Sequence, residues 1–173
     1  MAMSHPLGEG GFLLDTRTIA VNYRQYISGD FAQLYAIEET CFQPPFRFPR
    51  RYMRSLLESA DTVTWIGEEE GQMAGFAIAD RERRIDGLVA YIQTIEVLPA
   101  KRGRGIGSEL LSRLEGSARD RGAGAIWLHV DSENASAIRL YESHGFTCQG
   151  RKDRYYPRGR AALIYRKVIE PGD

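Results

Sequence analysis

The chain has 173 residues, enough for one domain with a real hydrophobic core and short for two. Apolar residues make up 43% and charged residues 27%, the composition of an ordinary globular protein. The 23 acidic and 23 basic residues cancel, which argues against nucleic acid as a partner, and no apolar run approaches the ~20 residues of a membrane helix.

Residues 1–16 are rich in glycine and small polar residues and are expected to form a flexible arm ahead of a single domain over 17–170. Met1 to Leu14 has neither a basic leader nor a long apolar stretch, so no signal peptide and a cytoplasmic location are expected. Ile19 to Tyr26 alternates like a strand. Asp30 is placed to cap a helix carrying Phe31, Leu34, Ile37 and Glu38 and reaching about Cys41. The aromatic stretch Phe42-Gln43-Pro44-Pro45-Phe46-Arg47-Phe48 contains two prolines and reads as a loop. Pro49 fits the first turn of a second helix, to about Ser59.

Three strands follow, Thr62 to Glu69, Gln72 to Asp80 and Leu88 to Leu98, the first two joined by a Glu70-Gly71 hairpin turn. The period then changes: Ile106, Leu110, Leu111, Leu114 and Ala118 recur at helical spacing, with Gly122 past the last turn. Ala125 to Val130 is a short strand, and Ala135 to His144 a helix capped by Asn134 and stopped by Gly145. Phe146 to Gly150 and Ala161 to Val168 complete the chain as strands. The order β-α-α-β-β-β-α-β-α-β-β describes an α/β sandwich on one mixed sheet. Cys41 and Cys148 are too few for a disulfide framework or metal site; both read as buried or half-buried thiols, and no metal is expected.

Between the third strand and the long helix stands Arg102-Gly103-Arg104-Gly105-Ile106-Gly107. Glycines let a backbone approach a phosphate, the helix start offers unpaired N–H groups, and Arg102 and Arg104 add positive charge. A tight turn with surface arginines accounts for the glycines equally well. A P-loop needs Gly-Lys-Ser/Thr where Gly105-Ile106-Gly107 stands, and a dinucleotide fingerprint needs G-x-G-x-x-G in a βαβ unit; neither fits.

What fits is R/Q-x-x-G-x-G/A, preceded by the strand Ile95-Glu96-Val97-Leu98-Pro99. Here the chain resembles the GNAT (Gcn5-related) N-acetyltransferase superfamily, over about residues 18–169. Ile126 to Val130 with Ala135 to Phe146 is similar to its RimI branch of ribosomal-protein alanine acetyltransferases. The resemblance implies the GNAT fold, a mixed central sheet with helices on both faces, and acetyl-CoA as donor. It implies that Ile95, Glu96 and Val97 contact the acetyl and pantetheine portions through their backbone. Arg102, Gly103, Arg104, Gly105, Ile106, Gly107 and Ser108 would hold the pyrophosphate, with Asn134 further along. The family also splays the strand near residue 95 from that near residue 128, at a bulge the letters do not reveal.

Acetyl transfer needs a neutral amine, donors for the oxyanion and a proton for the departing thiolate. Tyr141 matches the RimI general acid; an ordinary tyrosine (~10) and a thiol (~8.5) are close in pKa. His129 stands where RimI carries its base glutamate. Tyr91 to Ile95 with Leu128-His129-Val130 is instead similar to a eukaryotic N-terminal acetyltransferase of the family, in which a tyrosine and a histidine hold a water. The resemblance therefore implies Tyr91 and His129 as the base pair. Strand alternation puts His129 and Trp127 on one face and Ile126, Leu128 and Val130 on the other. Glu96, a carboxylate in a central strand, is the second candidate base.

An N-terminal α-amine (~8) is easier to deprotonate than lysine (~10.4), so a mild base suits a protein or peptide N-terminus, and the RimI likeness points to a ribosomal protein. Tyr155-Tyr156-Pro157 resembles the paired tyrosines that hold a peptide acceptor, with Phe42, Pro45 and Phe46 as the facing wall. A monomer or homodimer is expected, with neither nucleic acid nor membrane as partner. Acetylation of small amines or lysine side chains, and a non-catalytic acyl-CoA-binding sensor, stay open, because a cofactor motif does not name its acceptor.

Overall fold

The computed structural model describes residues 19–172, so the arm expected over 1–16 lies outside the described residues. Asn22–Gln25 (β1), Thr62–Glu69 (β2), Gln72–Arg84 (β3), Gly87–Val97 (β4), Ala125–Asp131 (β5), Thr147–Lys152 (β6) and Ala162–Val168 (β7) form one sheet, ordered β1-β2-β3-β4-β5-β7-β6. Phe31–Cys41 (α1), Arg50–Glu58 (α2), Ile106–Asp120 (α3) and Ala135–Ser143 (α4) are the helices among the described residues. The element order is the expected one. The sheet is mixed: β4 and β5 run parallel, and every other neighbouring pair antiparallel.

β3 is the spine because its residues from Met73 to Ala79 are buried on both faces. Strand alternation sends Phe76 and Ile78 to one side, where they meet Leu34 and Ile37 of α1 and Met53 and Leu57 of α2. Ala77 and Ala79 face the other side and leave room for Leu110, Leu111 and Leu114 of α3, with Tyr141 of α4 in the same cluster. Each large apolar side chain buried there contributes about 1.5–3 kcal/mol. Leu110→Ala would leave a cavity and cost about 2–5 kcal/mol.

Several local expectations shift. β1 covers four residues rather than Ile19 to Tyr26, and β3 runs past Asp80 to Arg84. Asp30 sits at the start of α1, after a 3-10 turn over Ser28–Asp30, but its side chain does not cap that helix. It accepts from the Ile27 N–H at 2.9 Å and from both guanidinium nitrogens of Arg24 at 2.8 and 2.9 Å. A charge-assisted fork outcompetes a cap bond, and Arg24 holds the carboxyl below its usual range. Pro49 flanks α2 as its N-cap rather than lying in the first turn. Cys41 is half-buried, but Cys148 is exposed, on the two-stranded rim made by β6 and β7.

One irregularity positions the site. Ile78 pairs with Thr94 and Ala79 with Ile92, so Gln93 is an extra residue, a bulge that bends β4. β4 and β5 pair only from Val89/Ala125 to Ile92/Leu128. Beyond that point Ile95–Val97 pair with β3 alone, and His129–Asp131 with β7 alone. The two central strands part, and a gap opens between them. Gly75 lets β4 lie this close to β3: a Cβ there would sit 2.5 Å from the Glu96 carbonyl oxygen.

Candidate functional site

The gap widens into a cleft of about 440 Å³. Ile95, Glu96 and Val97 form one wall, and Asn134, Ser136, Ala137, Leu140 and Tyr141 the other. Arg102, Gly103, Gly105, Ile106, Gly107 and Ser108 close one end, and Cys41, Phe42 and Lys101 complete the lining. Asn134 caps α4, its Oδ1 accepting from the Ala137 N–H at 3.1 Å.

Gly103 and Gly105 have φ of 75° and 81°, conformations that other residues reach only with strain. Gly105 is thereby the N-cap of α3, and the first helical bond is Glu109 N–H to Gly105 C=O at 3.0 Å. The N–H groups of Ile106, Gly107 and Ser108 therefore lack helical acceptors and carry the positive end of the helix dipole. This turn fits a phosphate group. Arg102 lines the cleft and donates from Nε to the Val97 carbonyl at 2.9 Å. Arg104 does not line it: its guanidinium pairs with Glu69, where Lys101 Nζ also lies at 2.7 Å. Two cations hold the Glu69 carboxyl below its usual range.

Where β4 and β5 part, the Tyr91 hydroxyl and His129 Nδ1 lie 2.8 Å apart. The two side chains are in direct hydrogen-bond contact. His129 Nε2 and Trp127 Nε1 are buried without a hydrogen-bond partner among the described residues. Orphaned polar atoms on one strand face mark a place where a ligand or water belongs. Burial, followed by Lys152 and Arg84 and opposed by Glu82, lowers the His129 pKa, so the imidazole is neutral at pH 7. Burial raises that of Tyr91, which stays protonated.

Glu96 is 3% exposed and Glu38, from α1, is 0% exposed. Their carboxyls are buried side by side, and Thr94 Oγ1 donates to Glu96 Oε1 at 2.9 Å. Burial and the neighbouring Glu38 push the Glu96 carboxyl up to about 10, so it carries a proton at neutral pH. Glu38 also accepts from the Phe48 N–H at 2.7 Å, which ties the α1–α2 loop to this pair. Tyr141 packs edge-on against Phe146 at 5.7 Å and lines the cleft. Burial raises its phenol above 10, a wider gap to a thiol than for a free tyrosine.

Tyr155 stacks on His129, centroids 4.6 Å apart and planes within 5°, and Tyr156 meets Tyr155 edge-on at 4.9 Å. The loop carrying them faces the α1–α2 loop, with the Arg158 and Arg160 guanidiniums 5.8 and 5.3 Å from the Phe46 ring centroid. Phe46 thus faces the tyrosine loop, Phe42 lines the cleft instead, and Pro45 is exposed. Sequence reasoning missed Cys41, Lys101, Ser136, Ala137 and Leu140 as lining residues. The small residues of α4 carried a signal, since Ser136 and Ala137 follow directly on Asn134 in the helix's first turn.

The profile described as the acetyltransferase (GNAT) family matches residues 31–146. The chain is similar to streptothricin acetyltransferase of Streptomyces lavendulae, 39% identical over 100 residues, 57% of this chain and 52% of that protein. It is also similar to N-alpha-acetyltransferase RimI of Mycobacterium tuberculosis, 40% identical over 103 residues, 60% of this chain and 63% of that one. The chain thus spans less than two thirds of the length of these curated relatives. Among solved structures, the ribosomal-protein-S18-alanine N-acetyltransferase from Escherichia coli superimposes with a TM-score of 0.77 at 27% identity, covering 89% of this chain and 97% of that one.

Proposed function

Because the chain belongs to the GNAT acetyltransferase family, we propose that it is an acetyl-CoA-dependent N-acetyltransferase acting on the α-amine of a protein or peptide N-terminus. The observation that carries this reading is the neutral His129, bonded to Tyr91 and stacked on Tyr155 where β4 and β5 part. Bound acetyl-CoA would supply the activated acetyl group as a thioester. The exposed N–H groups of Ile106, Gly107 and Ser108, with Arg102, would hold its pyrophosphate, and the unpaired edge of Ile95–Val97 its pantetheine arm.

The chain's own groups divide the proton work. With Nδ1–H donated to the Tyr91 oxygen, the His129 Nε2 lone pair is free to take the acceptor's proton. Tyr141, kept protonated by burial, holds a proton for the thiolate. Glu96 already carries its proton and is a poor base at pH 7. Tyr155 and Tyr156, facing Phe46 across the loops, would hold the first residues of a peptide.

The likeness to streptothricin acetyltransferase favours a second reading, a small-molecule amine as acceptor. Thiol release from acetyl-CoA is the test, with peptides bearing free or blocked N-termini, free lysine and polyamines as acceptors. Turnover confined to free peptide N-termini is expected. Turnover confined to lysine or polyamines overturns the α-amine reading, and tight binding with no turnover on any acceptor favours a sensor.

A further inference from the structure

A second histidine lies at the phosphate end of the cleft, and the proton transfers above do not use it. Ser108, in the first turn of α3, has its Oγ 2.8 Å from Nε2 of His144, the residue that ends α4. The other ring nitrogen, Nδ1, lies 3.5 Å from Oε1 of Glu115, which also accepts from Lys167 Nζ at 3.1 Å. The imidazole is 13% and the Glu115 side chain 8% exposed. Serine, histidine and carboxylate stand in line, and only the serine end lines the cleft.

We propose that His144 is a positioning residue for the coenzyme A pyrophosphate: when it is protonated, the Ser108 hydroxyl proton turns into the cleft, so binding takes up a proton. The proposal rests on reading the glycine loop as the pyrophosphate site. In the neutral ring the Glu115 carboxylate favours the proton on Nδ1, so Nε2 accepts the Ser108 O–H. The serine then shows only lone pairs to the cleft, and these repel a phosphate oxygen. In the imidazolium, Nε2–H donates to Oγ, and the hydroxyl is free to donate to the anion beside the N–H groups of Ile106, Gly107 and Ser108. The added positive charge acts in the same direction.

The charged groups beside His144 are Glu115 from α3, 3.5 Å from Nδ1, and Lys167 from β7, 3.1 Å from the same Glu115 oxygen. An anion in the loop adds to Glu115. If binding takes up one proton at this ring, affinity for coenzyme A falls as pH rises, by at most about tenfold per pH unit.

Calorimetric titration of the full chain with coenzyme A, between about pH 6 and 8 in buffers of different ionisation enthalpy, tests this. The expected result is proton uptake by the wild-type chain and a dissociation constant that weakens with pH. His144→Gln keeps an N–H donor to Ser108 but has no ring proton to gain: its proton uptake should be smaller than that of wild type, and its affinity should vary less with pH. The coenzyme's own 3′-phosphate titrates alike in both proteins, so their difference isolates the ring. Ser108→Ala should weaken binding and reduce the uptake. Pantetheine, which lacks the pyrophosphate, should show no difference between wild type and His144→Gln. Equal uptake by wild type and His144→Gln on coenzyme A overturns the proposal and leaves the loop assignment standing. Failure of the folded wild type to bind coenzyme A overturns that assignment, and the proposal with it.

Discussion

The Tyr91 hydroxyl and His129 Nδ1 bridge β4 and β5 at 2.8 Å, Tyr91 from the last paired stretch and His129 one residue beyond the final pair, Ile92 with Leu128. The base candidate thus stands where the pairing between β4 and β5 ends. His129 does not line the cofactor cleft. His129→Ala should lower kcat by about 10²–10³-fold, the usual range for a lost general base. The coenzyme A dissociation constant should change little. An unchanged kcat would remove His129 from the mechanism.

The charge state of His129 can be read directly. Burial, Lys152 and Arg84 lower its pKa from the ordinary ~6.5, so the neutral base persists to lower pH and is lost only as pH falls through the depressed value. An NMR titration of the ring should give a midpoint below ~6.5. Lys152→Ala removes one lowering charge and should move that midpoint up. A downward move would contradict the electrostatic account.

Tyr141→Phe separates chemistry from packing. The ring packs against Phe146, and the side chain lines the cleft. Unfolding free energy should change by less than about 1 kcal/mol. The turnover rate should fall by about 10²-fold, the scale of general-acid catalysis. A large loss of stability with unchanged turnover would make Tyr141 a core residue only.

Glu96→Gln replaces a carboxyl already protonated at pH 7 with a neutral isostere. Turnover should stay within a small factor of wild type. A drop as large as that of His129→Ala would assign the base to Glu96.

Gly75→Ala tests the splay. A Cβ at 2.5 Å from the Glu96 carbonyl oxygen and 3.2 Å from the Val97 Cα must push β4 away from β3. The expected cost is about 1–3 kcal/mol by thermal or denaturant unfolding, as for overpacking elsewhere. Coenzyme A affinity should fall as well, since the displaced residues line the cleft.

Period and punctuation in the chain determined the element order, because alternation and helical spacing report which faces are buried, and glycine and proline mark where elements stop. The loop from Arg102 to Gly107 was legible for the same reason: its chemistry is backbone chemistry, carried by consecutive residues. The direct Tyr91–His129 bond was not legible, since it depends on the register of two strands 38 residues apart and on where they separate. Tertiary packing alone decided the diversion of Arg104 to Glu69, the protonation of Glu96 by a helix that lies over it, and the line from Ser108 through His144 to Glu115. A side chain's charge state and direction follow from what lies beside it in space, and a local spacing rule carries no record of that.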